Sequence, residues 1–522
     1  MSTPRSLADL ELGPGVPTPP IALAGGAAGA TSRRRGSRVG VTEAVLRELR
    51  SACPEVIDDP DVVGESSRDW WPLAMTWAVR GQVASRAAVV ARPTDATQVA
   101  DLVRVCNTWG IPVTAAAGRS GVLGASVPLY GGVVLDMCGL SGIVGVDDES
   151  LTVDVLPGTF GDRFEATLRS EHGLTCGHWP QSMALSTVGG WVACRGAGQL
   201  STRYGKIEDM VSGLDVVLAD GSTISTGGYP RAATGPDLTQ LFVGSEGTLG
   251  IVTGVRMRVH PAAAHERRIV VSLPSFVDGL DLCRRIIRRG ATPAVLRLYD
   301  GTESDRNYQV GTDRAVLMAL DEGDPAIVDA AFSVIDDEIA TNPVPVERLD
   351  DGLADHWLEK RNDVAALERY ISGGLVVDTM EISGPWSRLP SIYSDVLAAI
   401  GAVEGTLAVS AHCSHSYLDG GCLYFTFAGQ PTEQGDDGFS TQESTERFYR
   451  SVWDAGTRAV LAGGGSLSHH HGVGLNRSRY SAEALGGGLD VLASVKKALD
   501  PKGILNPGKL GLSSAFGNPG LG

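Results

Sequence analysis

Between residues 84 and 262 short apolar strands alternate with helices, and glycine-rich loops interrupt them at four places. These are Ala115 to Gly121, Pro180 to Trp191, the Asp220-Gly221 dipeptide, and Gly244 to Val252. Adjacent glycines let a backbone approach a ligand closely and turn N–H groups toward anionic or carbonyl oxygens. Singly, each loop reads equally well as a tight turn under a sheet; in this order they constrain the fold much further. The segments between them fit that reading. Ala87 to Ala91 is a short buried strand ending at Pro93, and Thr94 can cap a helix carrying Val99, Leu102, Val103 and Cys106 at helical spacing, with Gly110 just past its end. Ile111 to Thr114 is a strand that runs into the first loop. Gly132 to Met137 and Leu151 to Leu156 are further strands, Thr159 to Ser170 is helical, and Asp215 to Ala219 with Ser222 to Ser225 form a hairpin about Asp220-Gly221. No GxGxxG opens a βαβ unit.

The chain of 522 residues is long enough for two to four domains at roughly 150 residues each. Residues 1–40, rich in Pro, Gly, Ala, Ser and Arg without periodicity, read as a disordered extension. Residues 41–83 form an N-terminal helical segment opening with EAVLRELRSA. After residues 84–262, a cap of residues 263–484 alternates strand-like pieces with polar helices, which predicts an antiparallel sheet covered by helices. Residues 485–522 return to the first domain through Asn506-Pro507-Gly508. The net charge of -17 excludes a binder of nucleic-acid backbones, which needs a basic face. No apolar run approaches the roughly 18 residues of a bilayer span, and Arg33 to Arg35 follow the weakly apolar Ile21 to Ala30 in the wrong order for a secretory signal. Eight scattered cysteines fit reduced thiols in a cytosol. Only six of the 44 basic residues are lysine, which is read as genome composition.

Chemistry concentrates in Ser468-His469-His470-His471-Gly472-Val473-Gly474. Three successive imidazoles cannot all be protonated cheaply, because like charges and desolvation depress the pKa of at least one. Such a group is a proton acceptor near neutral pH. Upstream, the alternating strand Cys422 to Phe427 presents Tyr424 on one face. Its phenol titrates near 10 in water and needs a polarised partner, for which histidine is suitable.

The ordered loops resemble the flavin-binding domain of the vanillyl-alcohol oxidase and p-cresol methylhydroxylase superfamily, and Asn506-Pro507-Gly508-Lys509 is typical of its ending. Three longer segments resemble the alkylglycerone-phosphate synthase family: GHWPQSMALSTVGGWVACRGAGQLSTRYGKIEDMV from Gly177, GYPRAATGPDLTQLFVGSEGTLGIVT from Gly228, and GGSLSHHHGVG from Gly464. The fold so implied is α+β, a two-subdomain FAD-binding domain plus the cap. The resemblance implies FAD-dependent exchange of the acyl chain of an acyl-dihydroxyacetone phosphate for a fatty alcohol, with no net redox change and the flavin as electrophile. Carried over by position, FAD contacts fall on Thr114, Ala115, Ala116, Ala117, Gly118, Arg119 and Ser120; on Gln181, Ser182 and Thr187; on Cys194, Arg195, Gly196 and Ala197; and on Glu246, Gly247, Thr248, Leu249, Gly250, Ile251 and Val252. Catalysis falls on Tyr424, His469, His470, His471 and Arg297, and substrate binding on Arg361 and Thr379. A phosphate headgroup in an acidic protein needs fixed bidentate cations, which suits the two arginines.

The sequence departs from the family at Ala115, Ala116 and Ala117, where glycines are usual; alanine disfavours positive φ, so either these positions have ordinary dihedrals or the loop runs differently. No histidine follows in Gly121 to Gly124, so noncovalent FAD is expected. No resident metal is expected, although His412, His415, His470 and His471 could make a nitrogen-rich zinc site. The rival reading is an FAD-linked dehydrogenase or oxidase of a D-2-hydroxy acid; a noncatalytic flavin scaffold would have lost the Tyr/His set. The expected partners are therefore small molecules, a lipid phosphate and fatty alcohol or a hydroxy acid, in a cytoplasmic enzyme open to peripheral membrane contact and to homodimerisation.

Overall fold

In the computed structural model, residues 5–518 are described apart from 35, 37, 365, 434 and 436–439. Two sheets build the domain with the glycine loops. In the first, strands Val89–Ala91, Val133–Asp136 and Val113–Ala116 run parallel, with Val56–Ile57 antiparallel at one edge. Helix Ala96–Trp109 covers it with Val99, Ala100, Leu102, Val103 and Cys106. That helix starts one residue later than Thr94 suggests: Asp95 is the cap, its carboxylate accepting the Gln98 N–H, a preferred capping residue in its own right. It ends at Gly110, φ +66°, where glycine enters the left-handed region without a steric cost. The second sheet is antiparallel, with order Thr223–Gly227, Val211–Val217, Ile251–Arg258, Thr152–Val155, Ile143–Asp147. Its first two strands are the hairpin about Asp220-Gly221.

The cap is a seven-stranded sheet ordered Glu347–Arg348, His265–Leu273, Ala315–Gly323, Val295–Tyr299, Thr406–Ser416, Gly420–Gly429, Val376–Pro385, antiparallel throughout. Period-two alternation divides its faces. Leu296, Leu298, Met380, Ile382, Leu423, Phe425 and Phe427 enter a core shared with helices Phe276–Arg288, Pro325–Ala340, Leu389–Gly401 and Gln442–Ala462. Val295, Tyr299, Val316 and Met318 pack the other way, into a core that includes Trp179, Trp191 and Val216 of the first domain. The cap sheet is thus covered by helices on one face and seated on the glycine-loop domain with the other. The chain end closes the arrangement: Val113 N–H donates to Ile504 O at 2.8 Å and Asn506 N–H donates to Val113 O at 2.8 Å.

Residues 5–34, expected to be disordered, form a strap across both domains. Leu7 is fully buried beside Trp357 and Leu358. Leu7 N–H and Ser6 Oγ donate to Glu266, Gly13 N–H donates to Asp162 at 2.7 Å, and Thr31–Ser32 pairs with Gln82–Val83. The composition shows no periodicity because the strap makes no long helix or strand; its backbone groups are satisfied by side chains of the body and by backbone, as where Ala24 N–H donates to Ala78 O at 3.0 Å.

Arg361 clamps the strap through Nη2, while its Nη1 is buried with no hydrogen-bond partner. Its Nη2 donates to Leu7 O at 2.8 Å and to Asp9 O at 3.0 Å, and its guanidinium lies 4.5 Å from the Trp179 ring. Hydrogen bonds from a charged donor contribute about 2 kcal/mol in total at such a site. Arg361→Ala should therefore speed amide exchange at Leu7 and Gly13 by roughly 30-fold while the cap sheet stays protected. Unchanged exchange in a hydrogen–deuterium measurement would show that Arg361 does not hold the strap.

Candidate active site

The cap face turned toward the glycine loops carries the functional side chains, placed there by strand register. Glu381 and His412 both pair with Tyr424, and Thr379 pairs with Thr426. A bulge between Cys413 and His415 shifts register so that His415 pairs with Cys422. Without it, alternation would send His415 to the same face as Cys413, into the helical core. Bulges re-aim side chains in this way.

The histidine run enters from the loop after helix Gln442–Ala462 and is moulded around the buried Glu381. That carboxylate accepts N–H groups from His469 (2.5 Å) and His471 (2.8 Å), the Ser468 hydroxyl (2.9 Å) and Arg477 Nη1 (2.7 Å). Burial alone would raise its pKa, but the Arg477 cation holds it well below the ordinary carboxylate range. Both Glu381 and Arg477 are 0% exposed. Further along, Glu246 accepts the Val473 N–H at 2.6 Å and the Gly474 N–H at 3.0 Å. Gly472 sits at φ +81°, which favours glycine, and a Cβ there would press on Glu246 Oε1 at 2.5 Å.

The imidazoles are not equivalent. His469 has both nitrogens engaged, Nε2 with Tyr417 OH at 2.9 Å and Nδ1 with His470 Nδ1 at 2.8 Å. Tyr417 also meets Ser201 Oγ at 3.1 Å, and that hydroxyl meets His415 Nδ1 at 2.6 Å. His412 is engaged at both ends, by Glu303 on Nδ1 (2.8 Å) and Arg297 on Nε2 (2.8 Å). Arginine can only donate and the carboxylate only accept, so His412 is neutral with its proton on Nδ1. Its pKa is pushed down to about 4 by burial and by Arg297. His471 differs: its Nδ1 is buried with no hydrogen-bond partner, 3.4 Å from Glu381 Oε1. Burial pushes it down to about 4, and His415, His469 and His470 lie well below the ordinary value, again chiefly by burial.

Tyr424 stacks on His412 with ring centroids 4.8 Å apart and lies 5.7 Å from His471. Its hydroxyl donates to Thr379 at 3.0 Å, not to a histidine as expected, and burial raises its pKa. The tyrosine hydrogen-bonded to the histidine run is Tyr417. Arg297 donates through Nε to Tyr299 OH at 2.6 Å. Arg297 and Arg361 each lie 5.9 Å from the Trp357 ring, so Arg361 neighbours this cluster while its Nη2 is committed to the strap. The zinc set considered from sequence is not assembled, since His412 has no nitrogen left. His415, Cys422, His469 and His470 instead bring one potential ligand atom each within 4.8 Å of one another.

The loops assigned to FAD converge beside this cluster. Gly118 is pressed against Leu185, where a Cβ would fall 2.1 Å from the carbonyl oxygen. Asn506 Nδ2 donates to Ala125 O at 2.9 Å and to Glu246 O at 2.6 Å, and Lys509 donates to Val127 O at 2.8 Å. Four non-glycine residues in these loops have positive φ: Arg119 (54°), Arg195 (60°), Glu246 (50°) and Asn506 (37°). Backbone strain of this kind clusters at ligand clamps. Gly247, at φ +71°, has nothing within 4 Å of where a Cβ would stand, an open backbone cradle. The arrangement fits a cofactor held by backbone groups. Ala115 and Ala116 lie in strand Val113–Ala116 and Ala117 is not among the positive-φ positions, so the alanines have ordinary dihedrals. Several assigned residues can offer only backbone: Leu249 and Ile251 are core residues, Glu246 spends its carboxylate on the histidine loop, and Arg195 turns toward Glu208 at 3.3 Å and Gln240 at 3.4 Å.

Comparison with known proteins agrees. An FAD binding domain model matches residues 87–227, and the C-terminal domain of FAD linked oxidases matches residues 262–510. The FAD-linked oxidoreductase YgcU of Escherichia coli K12, itself uncharacterized, is 32% identical over 412 residues, covering 77% of this chain and 83% of that one. Alkyldihydroxyacetonephosphate synthase (alkylglycerone-phosphate synthase) of Dictyostelium discoideum is 27% identical, covering 82% and 74%. Among solved structures, an alkyldihydroxyacetonephosphate synthase superposes with a TM-score of 0.75 at 24% identity, covering 91% and 87%, and p-cresol methylhydroxylase with 0.70 at 17%, covering 91% and 99%. The chain belongs to the FAD-linked oxidase family, has the p-cresol methylhydroxylase type of fold, and is an FAD-dependent enzyme. Among the described residues no helix is long and apolar enough to cross a membrane.

The His471 environment makes a pH prediction. Folded, its imidazole stays neutral down to about pH 4; unfolded, it takes a proton below about 6.5. Lowering the pH through that window favours unfolding. Between pH 7.5 and 5 the wild type should lose about 2 kcal/mol more unfolding free energy than His471→Gln, measured by urea unfolding of the flavin-free proteins. Parallel pH profiles would mean that His471 is not held neutral.

Proposed function

We propose that this enzyme exchanges the acyl chain of an acyl-dihydroxyacetone phosphate for a long-chain alcohol, with no net oxidation or reduction, using FAD bound without a covalent link. The observation that carries the reading is the juxtaposition of a neutral imidazole at His471 with Arg297 and Tyr424 on one sheet face. The proton on the carbon beside the substrate ketone needs a neutral base, and His471 supplies it at Nε2. Glu381 lies 3.4 Å from the opposite ring nitrogen and stabilises the imidazolium that forms, as an anion behind a general base does. His469 is excluded from that role because both of its nitrogens are engaged. Arg297, pinned through Nε and one Nη2 hydrogen, has its remaining N–H groups for the phosphate. Tyr424, neutral and held by Thr379, assists proton transfer at the acylated oxygen as the fatty acid departs. When bound, FAD supplies the electrophilic centre that holds the substrate during exchange. The family likeness to named synthases supports this reading.

A second reading, oxidation of a D-2-hydroxy acid, is supported by the 32% identity to the FAD-linked oxidoreductase YgcU, against 27% to 29% for the named synthases. His471 would then take the hydroxyl proton and Arg297 would hold the carboxylate. The experiment incubates FAD-loaded protein with acyl-dihydroxyacetone phosphate and an isotope-labelled long-chain alcohol. Label in an ether product, with an equal amount of free fatty acid, is the expected result by mass spectrometry, and His471→Ala should lower its rate at least 100-fold. No exchange, together with bleaching of bound flavin by a D-2-hydroxy acid under anaerobic conditions, would establish the second reading.

A further inference from the structure

Arg119 occupies a position where glycine would be easier to accommodate. Its φ of +54° lies in the left-handed region, which is strained for any residue with a Cβ. The preceding Gly118 has to be glycine because of Leu185; no such crowding demands a long side chain at 119. The Arg119 side chain is nonetheless 13% exposed, and its Nη1 is buried and donates to nothing. Its charge is paired with Asp136 at 3.9 Å, longer than a hydrogen bond, and that carboxylate already accepts Arg92 Nε at 3.1 Å and the Cys138 N–H at 3.2 Å.

Beside Arg119 lies a cavity of about 110 Å³, walled by Pro17 to Pro20 of the strap and by Glu65, Arg68, Asp69 and Trp70. The other charges in its wall are engaged. Glu65 pairs with Arg68 at 2.6 Å, Arg68 also donates to Ile21 O at 2.5 Å, and Asp69 accepts the Trp71 N–H at 3.2 Å and the Ser126 hydroxyl at 3.4 Å. A strained backbone and a desolvated cationic donor that makes no hydrogen bond therefore coincide in the loop assigned to FAD. Such a donor is worth keeping only if an anion completes it.

We infer that the Arg119 side chain is a cation for the diphosphate of bound FAD, adding the one charge to a loop that otherwise offers backbone N–H groups and hydroxyls. The inference rests on FAD binding and not on acyl exchange, so each can fail alone. Phosphate also occurs on the proposed substrate, and the test separates the two sources.

The test compares wild type, Arg119→Gly and Arg119→Lys after the flavin is stripped. FAD affinity is read from quenching of flavin fluorescence, and thermal stability is read on the flavin-free proteins. Glycine suits the observed φ, so the flavin-free Arg119→Gly should melt at the wild-type temperature or higher while its Kd for FAD rises at least tenfold; lysine should restore part of the affinity. Binding of dihydroxyacetone phosphate to the FAD-loaded proteins should change little. Unchanged FAD affinity would overturn the inference, and weaker dihydroxyacetone phosphate binding alongside it would reassign Arg119 to the substrate. A fall in both FAD affinity and flavin-free stability in Arg119→Gly would also overturn it, since that pattern marks a structural residue.

Discussion

The site depends on one buried carboxylate. Glu381 lies in a strand whose alternate residues, Met380 and Ile382, belong to the helical core, so its position is fixed by sheet packing. From that anchor it gathers two backbone N–H groups of the histidine run, one hydroxyl and the Arg477 guanidinium. A desolvated anion is tolerated only when paired and hydrogen-bonded, and here the loop itself supplies the partners. The loop is therefore as rigid as the charge is costly. Glu246 does the same one turn later from the opposite domain, so the histidine run is a bridge between the cap sheet and the flavin loops.

Burial gives this bridge its chemistry. All the imidazoles in it are desolvated, so they stay neutral, and hydrogen bonds sort them further. His469 and His412 are consumed in positioning networks, the first through Tyr417 and Ser201, the second between Glu303 and Arg297. His471 keeps an unengaged ring nitrogen beside the anion. A cluster that looks uniform in sequence is differentiated by what each nitrogen touches.

The sequence was most legible where geometry repeats. Period-two alternation placed Tyr424 on a face away from Phe425 and Phe427, and the ordered glycine loops marked the flavin domain before any contact was visible. It was least legible where placement depends on a local irregularity or on distant pairing. The bulge at Cys413 to His415 has no periodic signature, so His415 could not be assigned a face. Glu381, an acid in the apolar strand Val376–Pro385, is the kind of anomaly that signals a partner without saying which; Arg477 and Tyr417 carry no such cue. The strap escaped notice because its order comes from carbonyls capped by Arg361 and Arg68, and the same fact takes one donor of Arg361 away from the phosphate role assigned to it.

The most direct test of this account is amide hydrogen exchange in FAD-loaded Glu381→Gln. The isosteric amide removes the anion and leaves the strand packing intact. Exchange across residues 468–474 should rise by at least tenfold while strands Val376–Pro385 and Gly420–Gly429 remain protected. If the histidine run stays as protected as in the wild type, the loop is built by something other than the Glu381 carboxylate, and the differentiation of its imidazoles would need another origin.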